Sequence, residues 1–338
     1  MPPNTHIVPQ MKSLRNTTID FLRGLAVLLM IFVHATAYFL HDPVVHFLWD
    51  YTHVIVPFFV FCSAFVYFQK KEVTTLSISY IAKRLKRLLI PYYLYLLPLF
   101  GLIYMQTNSL SLSTIWNNVT WGQGRDVGWL VVLFIYLLVL IPLMHFMYTS
   151  HKWLFRAYAI SAFISTVVLL FIPSPVPFRF LMWLPWSFFL IYTILFAKHG
   201  QNKFVGITIL FVSAVVFLVT RDIREMIGGS LVLTENKYPP NLNYLSYGIF
   251  FTTLFYYAHS FLDAKKWYPT ALQKAFDFLS NNSYSLFFIH FLYLRWIVNE
   301  GLHKAWGWFG FFVILVIISS ATQLIWNAAV KRFTFARH

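Results

Sequence analysis

The sequence predicts an all-α, polytopic membrane protein of about ten transmembrane helices with both termini cytoplasmic. Three observations lead there. Of the 338 residues, 59% are hydrophobic and only 11% charged, whereas soluble domains carry roughly a quarter charged residues. The apolar residues gather into runs of about 17 to 25, the length that crosses a bilayer as a helix. The 26 Lys and Arg outnumber the 11 Asp and Glu, for a formal charge of +15, and they are distributed unevenly between the runs. In a soluble chain that excess would suggest nucleic acid, but in a membrane protein its placement is what informs.

The spans are expected at 18–40, 52–69, 88–106, 129–147, 156–173, 181–197, 204–220, 244–261, 283–302 and 307–328. An even number returns both ends to one side. The basic residues choose the side: Arg125, Arg179, Arg221, Arg224, Lys237 and Lys304 fall in outer segments, Arg23 and Arg295 fall within spans, and all the others fall in inner segments. Cytoplasmic loops collect Lys and Arg, so the tails 1–17 and 329–338 are expected inside and 18–328 forms one membrane domain. Lys12, Arg15 and the small-residue run Ala35-Thr36-Ala37 imitate a cleavable signal. Removing the first span would invert the charge asymmetry, so it is expected to stay.

Between the spans, 41–51 reads as a short outer loop with His41, Asp42, His46 and Asp50, and 70–87 as the most basic inner loop. The longest outer loops are 107–128 and 221–243, where Pro239-Pro240 marks a turn and an outward-facing substrate could be held. Trp49, Trp129, Trp267 and Trp306 lie near span ends and suit interfacial anchoring. A lone cysteine, Cys62, excludes an intramolecular disulfide and reads as a buried thiol.

Ionisable side chains inside a membrane are costly and therefore candidates for function. Here they are Arg23, His34, His145, His259, His290 and Arg295. Arg23 and His34 are eleven positions apart, about three helical turns, so they share one face about 16 Å apart in depth. His34 lies near the middle of the expected first span, where imidazole can act as base, acid or nucleophile. Arg23 could equally snorkel to the inner interface or pair with Asp20 at i,i+3. Arg84 and Arg87, with Lys83 and Lys86, suit bidentate phosphate contacts or anionic lipid. Asn281-Asn282-Ser283-Tyr284-Ser285 leads into His290, and Arg295 follows deeper in that span. His145 and His259 fall near span ends and read as structural. There is no Gly-rich phosphate loop, no His-Glu-x-x-His, no carboxylate cluster and no nucleophile elbow, so no metal is expected.

The run Ile19-Asp20-Phe21-Leu22-Arg23-Gly24 with His34 downstream, Arg84-x-x-Arg87 leading into Leu89-Ile90-Pro91-Tyr92, and Ser283-Tyr284-Ser285-Leu286-Phe287-Phe288-Ile289-His290 together resemble the acyltransferase 3 family of membrane acyltransferases. The resemblance implies about ten helices and transfer of an acyl group, commonly acetyl, from cytoplasmic acyl-coenzyme A to an outward-facing glycan or lipid-linked sugar. By that resemblance His34 is the catalytic histidine, Arg23 its motif partner, and Arg84 and Arg87 hold coenzyme A phosphates. Asp126, Trp129, His290 and Arg295 are substrate candidates. Gly128-Trp129-Leu130 keeps only part of the family's Gly-x-Leu-Trp-Phe-Leu pattern, and Cys62-Ser63-Ala64-Phe65 stands where a Ser-Gly-Phe-like run is usual. The heparan glucosaminide acetyltransferase-like family has a similar first span but lacks the other two motifs. From another class, a transporter or flippase would put Arg23, His34 and Arg295 along a path, yet the paired interrupted helices of such folds are not found.

Overall fold

The computed structural model describes residues 16–69, 78–122, 127–200 and 202–335. The expected N-terminal tail as far as residue 15, the first part of the basic loop, 70–77, and the last residues, 336–338, lie outside the described residues. The helices are α1 (Thr17–Thr36), α2 (Pro43–Tyr51), α3 (Ile55–Phe68), α4 (Ile78–Thr107), α5 (Leu112–Val119), α6 (Gly128–Ser150), α7 (Lys152–Phe171), α8 (Phe178–Leu181), α9 (Trp183–His199), α10 (Lys203–Met226), α11 (Leu242–Ala264), α12 (Thr270–Asn281), α13 (Ser283–Asn299) and α14 (His303–Phe335). The protein is all-α and polytopic, as its composition predicts.

Among the described residues, seven stretches are long and apolar enough to cross a membrane: α1, the combined Pro43–Phe68 stretch, α4, α6, α7, α10 and His303–Arg332. The other three expected spans coincide with α9, α11 and α13. Each carries polar groups or is short because its neighbours, rather than lipid, surround much of it. In α11, Asn243 donates to the Phe217 carbonyl and the Thr220 hydroxyl, and Thr253 shares a hydrogen bond with Tyr192 of α9. Internal partners of this kind make polar residues tolerable at membrane depth.

The outer connections hold more structure than expected. Residues 43–51 are helical rather than looped, because Pro43 occupies the first turn and the Asp42 carboxylate caps it by accepting from the N–H groups of Val44 and Val45. Both features start helices. Before that stretch, α1 ends at Thr36 rather than residue 40, and this places His34 in its last turn. Ser111 caps α5 in the same way within the expected loop 107–128. On the opposite face, residues 78–87 extend α4 backwards, so Arg84 and Arg87 stand on consecutive turns of one 30-residue helix.

α1 is the hub. It packs against α2, α3, α11, α12, α13 and α14, and Leu22, Ala26, Val27 and Ile31 are wholly buried. The approach to α12 is closest at Gly24, where a Cβ would stand 2.8 Å from the Phe276 carbonyl oxygen and 2.9 Å from its ring. Small residues allow such helix contacts where no hydrophobic force holds helices together in lipid. Gly24→Ala must therefore push α12 away, and overpacking of this kind costs about 1–3 kcal/mol. A thermal melt in detergent or nanodiscs is expected to show a lower midpoint for Gly24→Ala, and an unchanged midpoint would contradict this packing.

Candidate active site

Arg23 is held at its base. Its Nη1 lies 3.7 Å from the Asp20 carboxylate and donates to the Ser280 hydroxyl at 3.4 Å, while Ser280 donates to Asp20 at 2.7 Å. The i,i+3 pairing with Asp20 is present, and the third partner comes from α12. This fixes Arg23 beside an interior cavity of about 170 Å³ whose walls include Ser63, Phe134 and Tyr284.

Three turns on, His34 Nδ1 is 3.0 Å from His290 Nε2, and His290 Nδ1 is 3.0 Å from the Leu286 carbonyl oxygen. A carbonyl only accepts, so His290 carries its proton on Nδ1 and donates it to Leu286. Its Nε2 then has only a lone pair, which obliges His34 to donate from Nδ1. The free nitrogen of His34 is Nε2, an unprotonated base whose ring orientation and tautomer are set by its neighbour. His290 is wholly buried, and Phe291 packs against both imidazoles with ring centroids 4.5 and 4.4 Å away.

His34 stands where two cavities meet. The first, about 270 Å³, is bounded by Trp49, His53, Trp129, Lys237 and Tyr238, among others. The second, about 730 Å³, opens toward the C-terminal end of α1 and is walled by Tyr92, Tyr95, Gln106, Asn118, Arg295 and Asn299. In the other direction a cavity of about 250 Å³ is bounded by Arg84 and Arg87. The four form a row in which neighbours share walls. Ser63, Leu88, Phe134 and Tyr284 are common to the Arg84–Arg87 and Arg23 cavities, Phe59, Leu130 and Phe287 to the Arg23 and first His34 cavities, and Val127 and Phe291 to the two that His34 joins. Tyr284 secures one wall by donating to the Leu88 carbonyl at 2.7 Å.

The sequence candidates thus fall at stations along one row. Arg84 lies over the Tyr80 ring at 4.8 Å and shares its cavity with Arg87. Trp129 is not an interfacial anchor: it is buried, and the Lys237 ammonium sits 5.1 Å from its ring. Arg295 is exposed near the end of α13 rather than deep in it, and its Nε donates to Gln106 at 3.1 Å. Asp126 lies outside the described residues. His259 is structural, stacked on Phe21 at 4.4 Å and hydrogen-bonded to Thr18, and His145 is buried against Tyr67 and Phe68. No group of three or more His, Cys, Asp or Glu among the described residues is placed to hold a metal.

This geometry, two cationic stations leading to an imidazole with a free nitrogen, suits transfer of a group from an anionic donor. A family model described as an acyltransferase domain, that of the acyltransferase 3 family, matches residues 16–323. The chain belongs to that family. No match was found among curated proteins, and none among solved structures. The membrane acyltransferase therefore has its three motifs, on α1, α4 and α13, gathered around one row of cavities.

Sequence reasoning missed Lys237 and His53. Lys237 counted only as an outer-loop cation, and His53 lay at the mouth of an apolar span. Both line the His34 cavity of the acyltransferase. No local pattern marks them, because they arrive from connections that fold inward over α1. Burial lowers the Lys237 ammonium from its ordinary 10.5 to about 7. Between those values the unfolded chain binds a proton that the folded one does not, so folding stability rises with pH across that window. The melting midpoint of the wild type is expected to rise relative to that of Lys237→Met from pH 7 toward 10.5. A constant difference between the two would contradict the burial of this charge.

Proposed function

We propose that this membrane acyltransferase moves an acyl group, acetyl being the expected one, from cytoplasmic acyl-coenzyme A to a hydroxyl of an envelope or extracytoplasmic saccharide, in a bacterial plasma membrane. The observation that carries this reading is the row of cavities with Arg84 and Arg87 at one end, His34 at the junction, and a large polar and aromatic cavity at the other. The positive-inside distribution of Lys and Arg puts the Arg84–Arg87 end on the cytoplasmic side. Guanidinium groups on consecutive turns match the phosphates of coenzyme A. Tyrosines and amides match a sugar, which offers both apolar faces and hydroxyls.

In this reading the donor's phosphates rest on Arg84 and Arg87, with Arg23 further along, and its thioester reaches His34. His34 Nε2 takes the proton of the acceptor hydroxyl, and that oxygen attacks the thioester carbon. The proton then goes to the leaving thiolate. His290 holds the ring in the tautomer that leaves Nε2 free. Trp129 and Arg295 belong to the acceptor's surroundings, and Asp126 is the substrate candidate that the sequence adds.

The test is transfer of a labelled acyl group from acyl-coenzyme A by protein purified into lipid, together with comparison of surface glycans from cells with and without it. His34→Ala is expected to abolish transfer while the protein still inserts, and full transfer by that variant would refute the assignment. His290→Phe, which leaves the fold but not the tautomer constraint, should lower transfer by about 10²-fold. An acyl group found on His34 by mass spectrometry when acceptor is omitted would point to a covalent carrier rather than a base.

Donor binding is tested separately. Hydrogen bonds to charged groups contribute about 1.5–3 kcal/mol, so Arg84→Ala with Arg87→Ala should raise KM for acyl-coenzyme A by about tenfold or more. Unchanged KM would return both arginines to the role of contacts with anionic lipid.

A further inference from the structure

The loop after α10 places a lysine where no counter-ion among the described residues meets it. Lys237 is 7% exposed, and no carboxylate among the described residues pairs with its ammonium, which lies 5.1 Å from the Trp129 ring and 5.0 Å from that of Tyr238. Burying a charge without an anion is costly, and cation–π contacts recover only part of that cost.

The loop that carries Lys237 is built to hold it. The Asp50 carboxylate accepts from the Leu233 N–H at 2.8 Å, Asn236 donates to the carbonyls of Ser230 and Val232, and Asn241 donates to Asn236. Tyr244 donates to the His53 carbonyl at 2.8 Å, tying α11 to the same wall. Lys237 and His34 thus line one cavity of about 270 Å³. Trp49 also lines that cavity, and its buried indole N–H has no partner among the described residues.

We propose that Lys237 is a catalytic residue whose ammonium receives the negative charge that forms on the acyl carbonyl oxygen during transfer. The proposal rests on the thioester-donor reading above. As the acceptor oxygen bonds to the carbonyl carbon, the carbonyl π pair moves onto oxygen, and Lys237 stands opposite that oxyanion. Collapse restores the C=O bond and breaks C–S, with the electron pair leaving on sulfur and the proton held by His34 passing to the thiolate. A positioned cation in a water-poor cavity stabilises such an oxyanion more in the transition state than in the ground state, which is what raises a rate.

The experiment measures free-thiol release from acetyl-coenzyme A at about pH 6, below the lowered value of Lys237 so that its ammonium is charged, by the full chain in nanodiscs, with hydroxylamine as a small acceptor and the uncatalysed rate subtracted. Lys237→Met is expected to lower kcat by about 10²–10³-fold, with KM for acetyl-coenzyme A changed by less than about twofold and the protein still folded by thermal melt at pH 7. Lys237→Arg, which keeps the charge, should recover part of kcat. Wild-type kcat in Lys237→Met would overturn the role, and so would an equal loss in both variants with lowered melting midpoints, which marks a structural lysine. Acetyl found on Lys237 would overturn it in favour of a covalent carrier. No thiol release by the wild type would refute the thioester-donor reading itself, and the role of Lys237 with it.

Discussion

The hydrogen bond from His34 to His290 is the constraint on which the rest of the site depends. It joins α1 to α13, and because His290 is itself committed to the Leu286 carbonyl, it sets both proton positions in the pair. Without that commitment either ring could hold its proton on either nitrogen, and the free nitrogen of His34 would be undefined. A backbone carbonyl one turn earlier in α13 thus determines which atom of an α1 side chain is basic. The arrangement needs no carboxylate, in keeping with a chain that has only 11 acidic residues.

Holding the pair together requires α1 to be placed on all sides, and the residues around its two ends do this differently. At the Arg23 end the contacts are polar and close: Gly24 lets α12 approach, and Ser280 of α12 joins Asp20 and Arg23. At the His34 end the helix stops at Thr36, and α2 and the loop that carries Lys237 fold over the space beyond. The first arrangement positions a cation beside a narrow cavity. The second encloses the imidazole in a chamber that shares His34, Val127 and Phe291 as walls with the larger cavity bounded by Arg295 and Gln106.

Much of this is legible in the order of residues along the chain. The apolar runs predict where the long helices lie, since a membrane demands length and hydropathy from its spans, although α4 begins at Ile78 rather than 88 and α14 runs to Phe335 rather than 328. The face shared by Arg23 and His34 follows from helical periodicity, and Arg84 and Arg87 do stand on consecutive turns of α4. Less is legible at the outer connections, where 41–51 reads as polar loop although Asp42 and Pro43 start a helix there. Arg295 reads as interior from its place in an apolar run, whereas tertiary packing leaves it exposed at the mouth of a cavity.

By itself, then, the sequence determined what depends on local order along the chain: the all-α polytopic class, the spacing of Arg23 and His34, the basic turns of α4, and the motifs that mark the acyltransferase 3 family. Tertiary structure alone decided what depends on residues distant in sequence. It brought His290 to His34 across 256 positions, Ser280 to Arg23 across 257, and Lys237 over Trp129 in the chamber wall. The physical reason is that hydropathy and periodicity record which face of a helix is apolar, while the partner a polar side chain meets is set by how helices pack. The tautomer of His34 and the burial of Lys237 are properties of those meetings.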